Sequence, residues 1–139
     1  MSPEMNQKIE KILERVQKPA RYIGGERNTE VIPFEEAELS FAFGFADTYE
    51  IGMSHLGIKI LYHIINSMPG CLCERVYMPW PDMGEALRNE NIPLFTIESR
   101  TPVKDFDVVG FTLQYEMSYT NIMEMLSLSG IPAYARERS

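Results

Sequence analysis

The feature that most restricts what this chain can fold into is Leu39 to Phe45, "LSFAFGF", which is apolar or small at nearly every position and ends just before a stretch of helical period. A strand with no polar alternation fits a sheet covered on both faces. After the turn "ADTYEIGM", Ser54 is placed to cap a helix, and Leu56, Ile60, Leu61, Ile64 and Ile65 give that helix one broad apolar face. The pattern then repeats. A short strand is expected around Arg75 to Met78, then a helix with Asp82 as N-cap and Met83, Ala86 and Leu87 on its inner face. A third strand is expected in "PLFTIES". The clearest one follows in "DFDVVGFTLQYE", where Val108, Val109, Phe111 and Leu113 are nearly continuous. The last helix carries Ile122, Met125 and Leu126 and stops at Gly130 and Pro132. Strands alternating with helices imply α/β architecture: a mostly parallel sheet between two helical layers. "IPAYARERS" turns polar where another buried strand should begin, so the sheet is expected to lack its last strand.

Residues 1–38 read as an N-terminal amphipathic helix and a loop, and residues 39–139 as the α/β domain. Ile9, Ile12, Leu13 and Val16 recur at helical spacing until Pro19, and "KPARYIGGERNTEV" is a glycine-rich loop presenting Arg21, Tyr22 and Arg27. With 13 basic and 20 acidic side chains, the formal charge is −7, which argues against a surface that binds nucleic acid mainly by neutralising phosphates and leaves room for a small basic pocket. The N-terminus lacks the apolar core of a signal peptide, and no run reaches ~18 apolar residues. The expectation is a cytoplasmic chain with no membrane partner. Cys71 and Cys73, the two cysteines present, supply neither a disulfide framework nor an iron–sulfur ligand set.

In an open α/β sheet, ligands bind beyond the carboxyl ends of the strands, where strand order reverses. The turns after the first and last strands should therefore share one rim. They nominate Tyr49, Gly52, Ser54, His55 and Gly57 from the first turn and Gln114, Tyr115 and Glu116 from the second as binding residues, with no catalytic or metal-ligating residue among them. At a helix N-terminus the His55 imidazole is held neutral, suited to a hydrogen bond or a metal contact, with the structural role weighing more. His63 reads as a packing residue. Gly52 and Gly57 would allow a phosphate to approach, but the spacing is not that of a dinucleotide site and no P-loop lysine is present. Glu50 and Glu116 read as rim acids before they read as a paired acid and base. "VYMPWPDM" sets Tyr77 and Trp80 in a stiff aromatic loop suited to wall a flat ligand or seat a neighbouring domain.

The segments "KPARYIGGE", "FADTYEIGMSHLGIKILYHIIN", "ERVYMPWPDM", "IPLFTIESRTPVKDFDVVGFTLQYEMSYTNIMEML" and "SGIP" together resemble the N-terminal region of large radical SAM proteins with a cobalamin-binding-type domain. The resemblance spans Lys18 to Pro132. It implies a three-layer Rossmann-like or flavodoxin-like module preceding a barrel whose CxxxCxxC motif holds a four-iron cluster that cleaves S-adenosylmethionine. This chain has no such motif, so the cluster and S-adenosylmethionine belong to a barrel domain absent from it, and the chain is expected not to be catalytic alone. The Asp-x-His-x-x-Gly signature of histidine-ligated cobalamin domains is also missing, although Asp47 and "SHLG" lie in the matching turn. Cobalamin is thus implied by resemblance alone, through relatives that hold it without a histidine on cobalt. The expected function is an N-terminal radical SAM module that binds or shields a cofactor or substrate for the barrel domain of its parent protein. The competing reading is a docking module without a small ligand. A third, a free-standing enzyme using Glu50 and Glu116, ranks last.

Overall fold

The computed structural model describes residues 3–26 and 31–138. The chain runs through α1 (Pro3–Leu13), β1 (Leu39–Phe45), the single turn α2 (Tyr49–Gly52), α3 (Leu56–Asn66), β2 (Cys71–Tyr77), α4 (Pro81–Asn89), β3 (Val108–Thr112) and α5 (Ser118–Ser129). The three strands form one parallel sheet in the order β2-β1-β3, with Phe45 opposite Tyr77 on one side and Thr112 on the other. The fold is α/β and Rossmann-like, as the alternation predicts.

Strand alternation divides the core into two layers. Ala42, Ala46, Leu72 and Val76 point to one face, where they pack with Ile9 and Ile12 of α1, Met83 and Leu87 of α4, and Met125 and Leu128 of α5. Phe43, Phe45, Cys73 and Tyr77 point to the other face and meet Ile58 and Tyr62 of α3. Small residues on one side of β1 and phenylalanines on the other set how closely each layer approaches. The N-terminal helix lies within the first layer, with Ile9 and Ile12 fully buried.

Several local expectations are corrected. "PLFTIES" is not a strand: Phe95 makes an isolated antiparallel bridge to Pro102, and the chain reverses through Arg100 at φ 59°. Its side chains have another task. Two charged residues of β2 are buried, and each needs partners. Glu74 accepts from Ser99 Oγ at 2.7 Å and from Thr96 Oγ1, while Arg75 Nε donates to Glu98 at 2.7 Å and its Nη1 to Glu26 at 2.9 Å. β2 itself begins at Cys71, four residues before the expected start.

The cap of α3 is His55, whose Nδ1 accepts from Ile58 N–H at 3.4 Å, while Ser54 turns back to donate to the Ile51 carbonyl. Asp82 sits one residue inside α4, whose N-cap is Trp80 with Pro81 following. The apolar face expected for α3 is only partly the buried one. Ile58, Tyr62 and Ile65 meet the sheet, whereas Leu56, Ile60, Leu61 and Ile64 are 45–69% exposed, and His63 is exposed rather than packed. The helix is apolar on both arcs, so periodicity alone could not choose between them.

Candidate functional site

α4 follows β2 and α5 follows β3, so on their shared face the two helices straddle the carboxyl end of β1. A cavity of about 450 Å³ opens there, lined chiefly by Asp47 and Thr48 after β1, Trp80 and Arg88 from the β2–α4 side, and Asn121 and Glu124 of α5. Its size falls within the range of small-molecule sites. Pro79 and Pro81 restrict the backbone on either side of Trp80. Gly84 lines the cavity from α4, and a Cβ placed there would find only Leu128 Cδ1, at 3.9 Å.

The rim is tied together by hydrogen bonds between segments far apart in the chain. Asn121 Nδ2 donates to the Ala46 carbonyl at 2.8 Å, fixing α5 to the end of β1. Met78 N–H donates to the Asp47 carbonyl at 2.9 Å, joining the turns after β1 and β2. Asp47 Oδ1 accepts from Thr48 N–H at 2.7 Å. Trp80 N–H donates to Tyr22 Oη at 3.1 Å, and the Arg21 guanidinium lies 4.9 Å from the centre of the Trp80 ring. Arg21 covers Trp80 but does not line the cavity. Arg88 and Glu124 form an ion pair from α4 to α5.

The eight nominated residues lie on the expected rim, since β1 and β3 are paired neighbours, but none of them lines this cavity. Tyr49 donates to Glu26 and meets the Tyr77 ring edge-on at 5.3 Å; burial first, and then the Glu26 carboxylate, push its phenol up to about 12. Gly52 is a packing position, because a Cβ there would lie 2.4 Å from the Tyr77 ring. A Cβ on Gly57 would sit 3.0 Å from the His55 ring. His55 packs at 5.2 Å against the Phe45 ring and Ser54 is exposed. Gln114, Tyr115 and Glu116 form the exposed approach to α5, where the Tyr115 and Glu116 carbonyls accept from its first N–H groups. Glu50 faces Arg21 at 2.8 Å and Lys18 at 3.6 Å; slight desolvation opposes them, yet the Arg21 guanidinium holds its carboxyl below the usual range.

Asp47, Arg88, Asn121 and Glu124 come from three separate segments, and no local sequence pattern joins them. One signal was available: Trp80 between two prolines directly after a strand.

Two groups implied by resemblance can be tested against these residues. Cys71 and Cys73 lie two residues apart on β2 and so share one face, but two thiols fall short of a cluster's ligand set, and burial pushes the Cys73 thiol up to about 12. They do not fit an iron–sulfur cluster. His55 does not fit as an axial ligand to cobalt either. Its Nδ1 accepts from Ile58 N–H, and its ring packs against Phe45.

An open parallel α/β sheet with a cavity at its carboxyl rim defines a Rossmann-like module. Residues 57–139, more than half of the chain, match the family described as radical SAM proteins, N-terminal, and the chain belongs to that family. No curated protein and no solved structure matches it. Among the described residues no helix is long and apolar enough to cross a membrane.

Proposed function

We propose that this chain is the ligand-holding N-terminal module of a radical SAM protein, binding a small molecule or part of a cofactor at the carboxyl rim of its sheet and presenting it to a radical SAM barrel domain. The observation that carries this reading is the 450 Å³ cavity between α4 and α5, placed where open α/β sheets hold ligands. Cobalamin would suit the reading if the rim residues held part of it, since the cavity is smaller than the whole cofactor. Asp47, Thr48, Trp80 and Asn121 would then meet a side arm of the cofactor. The cofactor would supply the cobalt chemistry, and this chain would position it and exclude water.

The test exploits Gly84. Leucine at this position projects into the cavity while improving helix propensity. Equilibrium dialysis with cobalamin, and thermal-shift measurements with a panel of small molecules, should give binding to the wild-type chain and none to a folded Gly84→Leu variant. Binding that survives Gly84→Leu would remove the cavity from the account.

A docking role is favoured by a different observation. Leu56, Ile60 and Ile64 form an exposed apolar row along α3, on the opposite face of the sheet from the cavity. Such a row marks an interaction surface. The two roles are compatible, because they use different faces.

A further inference from the structure

The lining of the cavity carries two carboxylates, Asp47 and Glu124, against one guanidinium, Arg88. Asp47 uses Oδ1 on Thr48 N–H and Asn121 uses Nδ2 on the Ala46 carbonyl, so Asp47 Oδ2 and Asn121 Oδ1 have no protein donor among the described residues. Both are acceptors. The Thr48 hydroxyl, beside them, can accept or donate. Of the two cationic side chains nearest the site, Arg88 on the lining is paired with Glu124, and Arg21 off the lining is bonded to Glu50. The N-terminus of α4 is engaged as well. Asp82 in its first turn accepts from Met83 N–H at 2.7 Å and places its own negative charge there.

An anionic ligand would thus meet a lining of net negative charge, with the Arg88 guanidinium shared with Glu124. A ligand carrying N–H or O–H donors would find two open carboxamide and carboxylate oxygens. The wall formed by Trp80 is flat, fixed between prolines and 42% exposed, and it offers an aromatic face to a planar ring.

We infer that the rim cavity selects a flat, uncharged or cationic ring that carries at least two hydrogen-bond donors, a nucleoside rather than a nucleotide. The ring lies against Trp80, and its amine or vicinal hydroxyl groups donate to Asp47 Oδ2 and Asn121 Oδ1. The inference rests on the cavity being a ligand site, and it adds the chemistry that site accepts.

Trp80 is the single tryptophan of the chain, so its fluorescence reports directly on the cavity wall. Adenosine should change that emission saturably, and AMP should bind at least about tenfold more weakly, a difference of roughly 1.4 kcal/mol. Asp47→Asn, which removes the charge and keeps an acceptor oxygen, should narrow the gap between them. AMP binding as tightly as adenosine would overturn the ligand class while leaving the cavity as a site. So would silence toward both adenosine and AMP in a chain that still binds another ligand, with that binding lost in Gly84→Leu. If no ligand distinguishes wild type from Gly84→Leu, the cavity reading itself fails.

Discussion

Arg21 lies with its guanidinium 4.9 Å from the centre of the Trp80 ring, with its side chain only 10% exposed, and so fixes a residue of the N-terminal loop to the wall of the rim cavity. Glu50 holds it there from the turn after β1. Three segments thus converge on one indole. Replacing Arg21 with alanine should destabilise the fold by about 1–2 kcal/mol, from the lost cation–π contact and the lost packing of its stem. The same change exposes the indole, so tryptophan emission of the folded variant should shift to the red. Urea unfolding and emission spectra check both outcomes.

Gly52 illustrates a glycine required by contact rather than by backbone angle. A methyl group there would lie 2.4 Å from the Tyr77 ring and 2.8 Å from that of Phe45, both within the α3-side core. Gly52→Ala should cost about 1–3 kcal/mol in a urea unfolding experiment, as overpacking does. Gly57→Ala, which meets only the movable His55 ring at 3.0 Å, should cost less.

The two arcs of α3 make opposite predictions. Ile58 is fully buried, so Ile58→Ala should destabilise by about 2–5 kcal/mol. Ile60 is half exposed, so Ile60→Glu should change stability by less than about 0.5 kcal/mol while increasing solubility. Chemical denaturation of the two variants reports the order directly. A larger loss at Ile60 would mean that α3 packs with its other arc.

Glu98 gives the fold an unusual pH dependence. Burial pushes its carboxyl from 4.5 up to about 7, against the pull of the Arg75 guanidinium. Between about pH 4.5 and pH 7 the folded chain therefore keeps a proton that the unfolded chain has released. The contribution of this group is fully present below that window and declines as pH rises through it. Urea midpoints across the window should show the decline in the wild type and a flatter profile in Glu98→Gln.

Much of the architecture is legible in the residue pattern. β1 and β3 are apolar at both alternations, α1 and α5 have a single apolar arc, and Gly130 takes the left-handed C-cap, at φ 69°, that ends α5. What was hidden depended on partners distant in sequence. Nothing local in "PLFTIES" shows that Thr96 and Glu98 must leave the sheet pattern to meet Glu74 and Arg75. Nothing in α3 says which of two apolar arcs meets the sheet; Tyr62, whose ring lies 4.7 Å from the Arg75 guanidinium, is the residue that marks it. The rim was foreseen from topology, but the cavity was not, because Asp47 and Asn121 meet only after α5 has packed across β1.

The central claim is that the carboxyl rim of this radical SAM N-terminal module holds a ligand between α4 and α5. Two-dimensional amide NMR of the isotope-labelled chain, titrated separately with adenosine and with cobalamin, tests it most directly. At least one of them should shift the Trp80 indole N–H, the Asn121 side-chain amide and the backbone of Asp47 and Thr48, with Cys71 at the opposite end of β2 unmoved. Shifts confined to Leu56, Ile60 and Ile64, or no shift with either molecule, would contradict it.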